Sequence, residues 1–168
     1  MRALVAAALA VMLTAGSPPS AKDGERSWRS PVPIDKVQQM VRDLESDPLG
    51  KNADALRAYL VKYFDNMRPE FVVCLAQFQP LMQAEKEAHK NLWLQVPISS
   101  GSFLLDHPEA IEDTAAYQLA GLEGMLRVYT KMLASDPSLR HDFLDQLVRL
   151  QHDGKLGEHV RTHPCPGD

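Results

Sequence analysis

Apolar residues recur at helical spacing along most of this chain, beginning with Ile34, Val37, Val41 and Leu44. The spacing predicts a first helix from Pro33 or Ile34, ended by the SDP tripeptide at 46–48. Leu56, Leu60, Tyr63, Phe64 and Met67 share the face of a second helix within NADALRAYLVKYFDNM. Phe71, Leu75, Phe78 and Met82 form a third stripe behind Pro69, a residue suited to a first helical turn. FVVCLA on its own also suits a buried strand, but the stripe predicts a helix, kinked or broken near Pro80. QAEKEAHKNLWL continues that helix on a more polar face to Pro97, with Trp93 anchoring its end in the core. ISSGSFLLDH then reads as a loop entering a short helix.

The strongest helical signal runs from Pro108 to about Ala134. Pro108 and the acids Glu109, Glu112 and Asp113 suit the positive end of its dipole. Leu119, Leu122, Leu126, Tyr129 and Leu133 make one apolar stripe, widened by Met125, Val128 and Met132. Gly121 and Gly124 interrupt it, each at a cost of roughly 1 kcal/mol relative to alanine. Ala116, Ala120 and Gly124 are spaced by four and predict a narrow ridge against which a neighbouring helix packs closely. A further helix runs from the Asp136 cap and Pro137 through Leu139, Phe143, Leu147 and Leu150 to Gly154. A short helical turn, KLGEHV, and the tail RTHPCPGD close the chain. SDP occurs at 46–48 and 135–137, but the segments after the two copies do not align, so both read as N-cap chemistry. The expectation is an all-α single-domain bundle of about six helices around a central helix at roughly 108–134.

The beginning of the chain has a different character. MRALVAAALAVMLTAGSPPSAKD has the charged start, apolar centre and small residues of a secretory leader. Its apolar run is shorter than the ~20 residues of a membrane span. Cleavage is expected after Gly16, with Ala21 as the second choice. Residues 1–16 are thus read as a signal peptide, 17–33 as a flexible lead-in and 34–168 as the helical domain. The full chain carries 18 Lys+Arg against 22 Asp+Glu, and the net charge of −4 becomes −5 once Arg2 leaves with the leader. No basic block or second long apolar run occurs, which argues against nucleic acid, an anionic membrane surface or a transmembrane span in the mature chain.

Chemical motifs are sparse. HExxH, GxGxxG and G-x-S-x-G are absent, and no cofactor is expected. His152, His159, His163 and Cys165 are the candidate metal ligands, since His159 and His163 are one helical turn apart. Pro164 and the glycines at 154 and 157 favour a solvated tail instead. Ser102, His107 and Glu123 are the candidate catalytic groups, whereas Ser99 and Ser100 read as helix-start caps. Glu109, Glu112 and Asp113 have a sufficient explanation in the dipole, and His89 one as a wet helix face. Cys74 among apolar neighbours is unsuited to nucleophilic chemistry. With Cys165 it makes an even pair in an oxidising compartment, which predicts one disulfide.

The order of ALRAYLVKYF, VCLAQFQPLM, SGSFLLDHP, YQLAGLEGMLRVY and GKLGEHV, with its late cysteine, resembles secreted or envelope-associated bacterial helical proteins of uncharacterised function. The resemblance spans roughly residues 40 to 165, implies an extracytoplasmic setting and supplies no catalytic residue. The expected function is that of an exported, periplasmic or extracellular, protein-binding domain. Its partner would be another exported or envelope protein, in an adaptor, chaperone-like or immunity role. The alternative is a small hydrolase or ligand carrier with a pocket under the 97–108 loop.

Overall fold

The computed structural model describes residues 32–74 and 76–163. The expected signal peptide, most of the lead-in and Cys165 lie outside the described residues. Eight α-helical segments, and no strand, occur among the described residues: α1 (Ile34–Ser46), α2 (Ala53–Asp65), α3 (Gln79–Met82), α4 (Glu87–Leu92), α5 (Gln95–Asp106), α6 (Thr114–Ser135), α7 (Asp142–His152) and α8 (Leu156–Thr162). The fold is all-α, with α6 as its longest helix.

Two apolar clusters make the core. Val37, Val41 and Leu44 of α1 meet Leu60 and Phe64 of α2, Met67, and Ile98 and Leu104 of α5. Leu122, Met125, Leu126 and Tyr129 of α6 meet Phe78, Leu92, Leu144, Leu147 and Leu156 in the other cluster. The helical stripes of α1 and α2 therefore face inward as their spacing requires, although Ile34 itself is exposed.

The long helix starts later than its pattern predicts. Pro108–Glu112 forms a 3-10 turn, and Asp113 is the N-cap of α6, its carboxylate accepting from Ala116 N at 3.0 Å. Glu109 and Glu112 thus lie outside α6. Asp136 likewise caps a 3-10 turn, Pro137–Leu139, and α7 begins only at Asp142. Its end matches the glycine signal, for Gly154 takes φ +69°, a conformation that glycine adopts without penalty. The first SDP copy works differently: Asp47 closes α1, its N–H donating to Asp43 O at 3.1 Å.

Two expectations fail between residues 69 and 106. No helix forms over Phe71–Cys74, and helical structure resumes only in a 3-10 turn at Ala76–Phe78 and the four residues of α3. Adjacent Val72 and Val73 lose rotamer freedom in a helix, and the irregular path lets Phe71 meet Tyr117 edge-on at 5.9 Å. The short helix expected within ISSGSFLLDH is present and ends before His107, but the loop expected ahead of it is helical too: α5 starts at Gln95 and accommodates Pro97 in its first turn, where no helical N–H bond is lost.

The interface between α5 and α6 accounts for the two glycines of the long helix. A Cβ built on Gly124 would overlap Ser99 Oγ and Cβ and lie 3.1 Å from Glu45 Oε1. One on Gly121 would overlap Ser100 Oγ and lie 2.9 Å from Val96 O. The close contact includes Gly121 and Gly124; Ala116 and Ala120, the other members of the expected row, are half-buried.

Candidate functional site

The three residues considered for catalysis are not assembled. Ser102 Oγ donates to Gln38 Oε1 on α1, and Gln38 Nε2 donates back to Ser102 O at 2.8 Å. That reciprocal pair ties α5 to α1. His107 is exposed, stacks near Phe103 at 4.6 Å and lies 3.5 Å from Glu109. Glu123 is half-buried on α6. None of the three lines any of the three surface clefts, and α5 occupies the place where the expected loop would have covered a pocket.

Ser99 and Ser100 are not helix caps either. Ser100 Oγ donates to Tyr117 O at 2.8 Å, and Ser99 Oγ donates to Glu45 Oε1 at 3.0 Å. Each hydroxyl thus bridges α5 to another helix, filling the space left by a missing Cβ.

The late histidines sit apart from one another in role. His152 is exposed beside Asp153 at 3.2 Å, and His163 Nδ1 lies 2.9 Å from His159 O. The His159 and His163 rings are 4.3 Å apart. Burial and the neighbouring His163 both hold the His159 imidazole below its ordinary value. No group of three or more His, Cys, Asp or Glu is placed to hold a metal among the described residues. Cys74 is buried and is not a free thiol, and its sulfur accepts from Gln118 Nε2 at 3.1 Å. Its expected pairing falls on Cys165, outside the described residues.

A buried polar cluster joins α4 to the turn before α7. His89 is 4 % exposed, with Nε2 2.7 Å from Leu139 O, so this ring nitrogen carries the proton. Its ring meets that of His141 edge-on at 4.9 Å, and His141 Nδ1 is buried without a partner. Burial first, and His89 second, lower the His141 imidazole from its ordinary value. Below it, Tyr129 O–H donates to Asp145 Oδ1 at 2.8 Å and accepts from His141 N at 2.9 Å. Burial, reinforced by the Asp145 carboxylate, pushes this phenol up to about 12.

Clefts formed by the described residues include three on the surface. The largest, 560 Å³, lies between the end of α2, the irregular 67–73 segment and the α4–α5 junction. Phe64, Phe71, Val73, Trp93 and Pro97 give it apolar walls, and Asp65, Arg68 and Glu70 a charged rim. Val72, 64 % exposed, stands between two of its lining residues. A second cleft of 230 Å³ includes Arg57, Asn91 and Gln95; Gln95 is buried, and its Oε1 has no hydrogen-bond partner. The third, 440 Å³, lies between α1, α6 and the end of α7, with Arg42, Arg127 and Lys131 around Glu45.

Sequence reasoning did not single out these surfaces. Val72 reads as part of an apolar run, and no motif includes Arg42, Arg127 or Lys131. Their convergence comes from contacts such as Arg127–Glu45, 82 residues apart, which no local spacing encodes. Comparison with protein-family models, with curated proteins and with solved structures finds no match.

Proposed function

We propose that this chain is an exported helical domain that binds another exported or envelope protein through the groove beside Phe71, Val73 and Trp93. The observation that carries the reading is a groove of 560 Å³ whose apolar walls stand beside a charged rim, with an exposed valine at its margin. Apolar centres with polar rims are the anatomy of protein interfaces, and exposed apolar patches mark where they form. The leader-like residues 1–16 support export, which an intact mass beginning at Ser17 tests directly. The even pair of cysteines supports a Cys74–Cys165 disulfide.

Site-specific photocrosslinking tests the binding face. A photoreactive residue at 72 is expected to give one defined adduct in the native compartment, and the same residue at exposed Gln146 none. Equal labelling from both positions, or none from 72, would overturn the proposal.

A further inference from the structure

We propose that the cleft between α1, α6 and the end of α7 is a binding site for a small polycarboxylate anion. Three cations, Arg42, Arg127 and Lys131, line this 440 Å³ space against one carboxylate, Glu45. Glu45 is already committed. Arg127 Nε donates to its Oε2 at 2.9 Å and Nη2 to its Oε1 at 3.0 Å, a two-pronged pair that neutralises both groups. Neither Arg42 nor Lys131 makes an ion pair among the described residues; Arg42 Nη2 donates to the Gln39 amide oxygen at 2.9 Å. Two exposed cations without an ion pair among the described residues therefore line one cleft in a chain whose net charge is −4. Like charges held in a concave space focus a positive potential there, which attracts counter-charge.

The arrangement is built from behind. Glu45 Oε1 also accepts from Ser99 Oγ at 3.0 Å, and Gln95 Nε2 donates to Ser99 Oγ at 3.0 Å. Ser99 in turn is seated against Gly124, so the glycine contact indirectly fixes the carboxylate that orients Arg127. The pair uses Nε and Nη2 of Arg127 and leaves Nη1, with both protons, for a ligand. Ser46, Thr130 and the Gln151 amide add neutral polar groups to the lining, and with the cations they suit a ligand with more than one carboxylate. A volume of this size lies within the ~300–1,000 Å³ typical of small-molecule sites. The isolated patch on an acidic chain selects a small anion over a polyanionic chain.

Citrate is the probe, titrated at low ionic strength against sodium chloride matched for ionic strength, because screening alone also shifts exposed charges. Citrate is expected to raise the melting midpoint beyond the chloride control and to shift backbone amide resonances at 42–46 and 126–131. The double variant Arg42→Gln, Lys131→Gln removes no ion pair of the fold, so its midpoint without citrate should match the parent. Its affinity for citrate should fall at least about tenfold. Val72→Asp should leave the citrate response intact, separating this site from the protein-binding groove. A response equal to that of chloride, or citrate binding undiminished in the double variant, would overturn the site. Binding of pyrophosphate in preference to citrate would overturn its assignment to carboxylates.

Discussion

The α5–α6 interface and the stretch from Met67 to Leu94 are built on opposite terms. In the first, helices of 12 and 22 residues meet with serine hydroxyls pressed into bare glycine backbone. In the second, two helices of four and six residues are joined by irregular chain. Long helices repeat their side-chain rows over several turns, so rows interlock and exclude gaps. Helices of one or two turns have no such row to offer. The groove of 560 Å³ lies beside the second region, whereas backbone contacts fill the centre of the first. Close packing is found where the helices interlock, and an open groove where they do not.

Removing the proposed disulfide should give the largest change and fall on the weaker region. A loop of about 90 residues corresponds to at most about 4–5 kcal/mol by chain entropy, within the ~2–5 kcal/mol seen for native disulfides. Cys74→Ala should lose stability in that range, with hydrogen exchange rising first around residues 67–82. Titrating the unfolded, unreduced protein should find no reactive thiol; two per chain would defeat the pairing.

Overfilling the tight interface should come next. Gly124→Leu places atoms where Ser99 already sits, and overpacking of this kind costs roughly 1–3 kcal/mol. Gly157→Ala is the matched control, since its Cβ would come no closer than 3.5 Å to Leu119 Cδ2. That exchange should be neutral or gain up to about 1 kcal/mol. An unchanged denaturation midpoint for Gly124→Leu would show that α5 and α6 are not in close contact there.

Titration should sharpen the contrast at lower amplitude. His141 is depressed below 6.5 in the fold, so the unfolded chain takes up its proton first as pH falls. Its contribution is complete above about pH 6.5 and is lost as pH drops toward the folded value. The first amides to exchange faster in acid should be those of 86–92 and 137–141, ahead of α5 and α6. His141→Phe should flatten that acid slope. Tyr129 works in the other direction: with its phenol raised from 10.0 to about 12, the unfolded chain deprotonates first, and stability falls as pH rises across that interval. Tyr129→Phe should remove the alkaline loss.

The smallest thermodynamic effect should come from the proposed binding face. Val72→Asp alters an exposed side chain and should shift stability by no more than about 0.5 kcal/mol. Photocrosslinking in that background, from a reactive residue at exposed Arg68 on the groove rim, should nevertheless lose the partner. A large stability loss would mean that Val72 belongs to the core.

Some of the candidate chemistry was legible one residue at a time, and the rest was not. Phe71 and Val73 were recognisable as apolar, but their place beside Trp93 and Pro97 depends on the chain leaving helical geometry after Met67. Ser99 and Ser100 looked like caps because serine beside glycine is usual there; their partners Glu45 and Tyr117 lie elsewhere in the chain. His89 looked solvated amid EKEAHK, yet its ring is buried because Leu139 and His141 cover it.

What the sequence by itself determined is the all-helical class, the inward faces of α1 and α2, the dominance of α6 and the glycine stop at 154. These arise from local spacing and backbone preference, which act within a few turns of chain. Tertiary structure alone decided that α5 extends back to Gln95 and that Phe71–Cys74 is not helical, because neighbours outweighed propensities worth at most ~1 kcal/mol per ordinary residue. It also decided that Gly121 and Gly124 of α6 meet α5, and that Arg42 of α1 lines the same cleft as Arg127 and Lys131 of α6. Those outcomes depend on residues tens of positions apart, whose proximity exists only once the helices have packed.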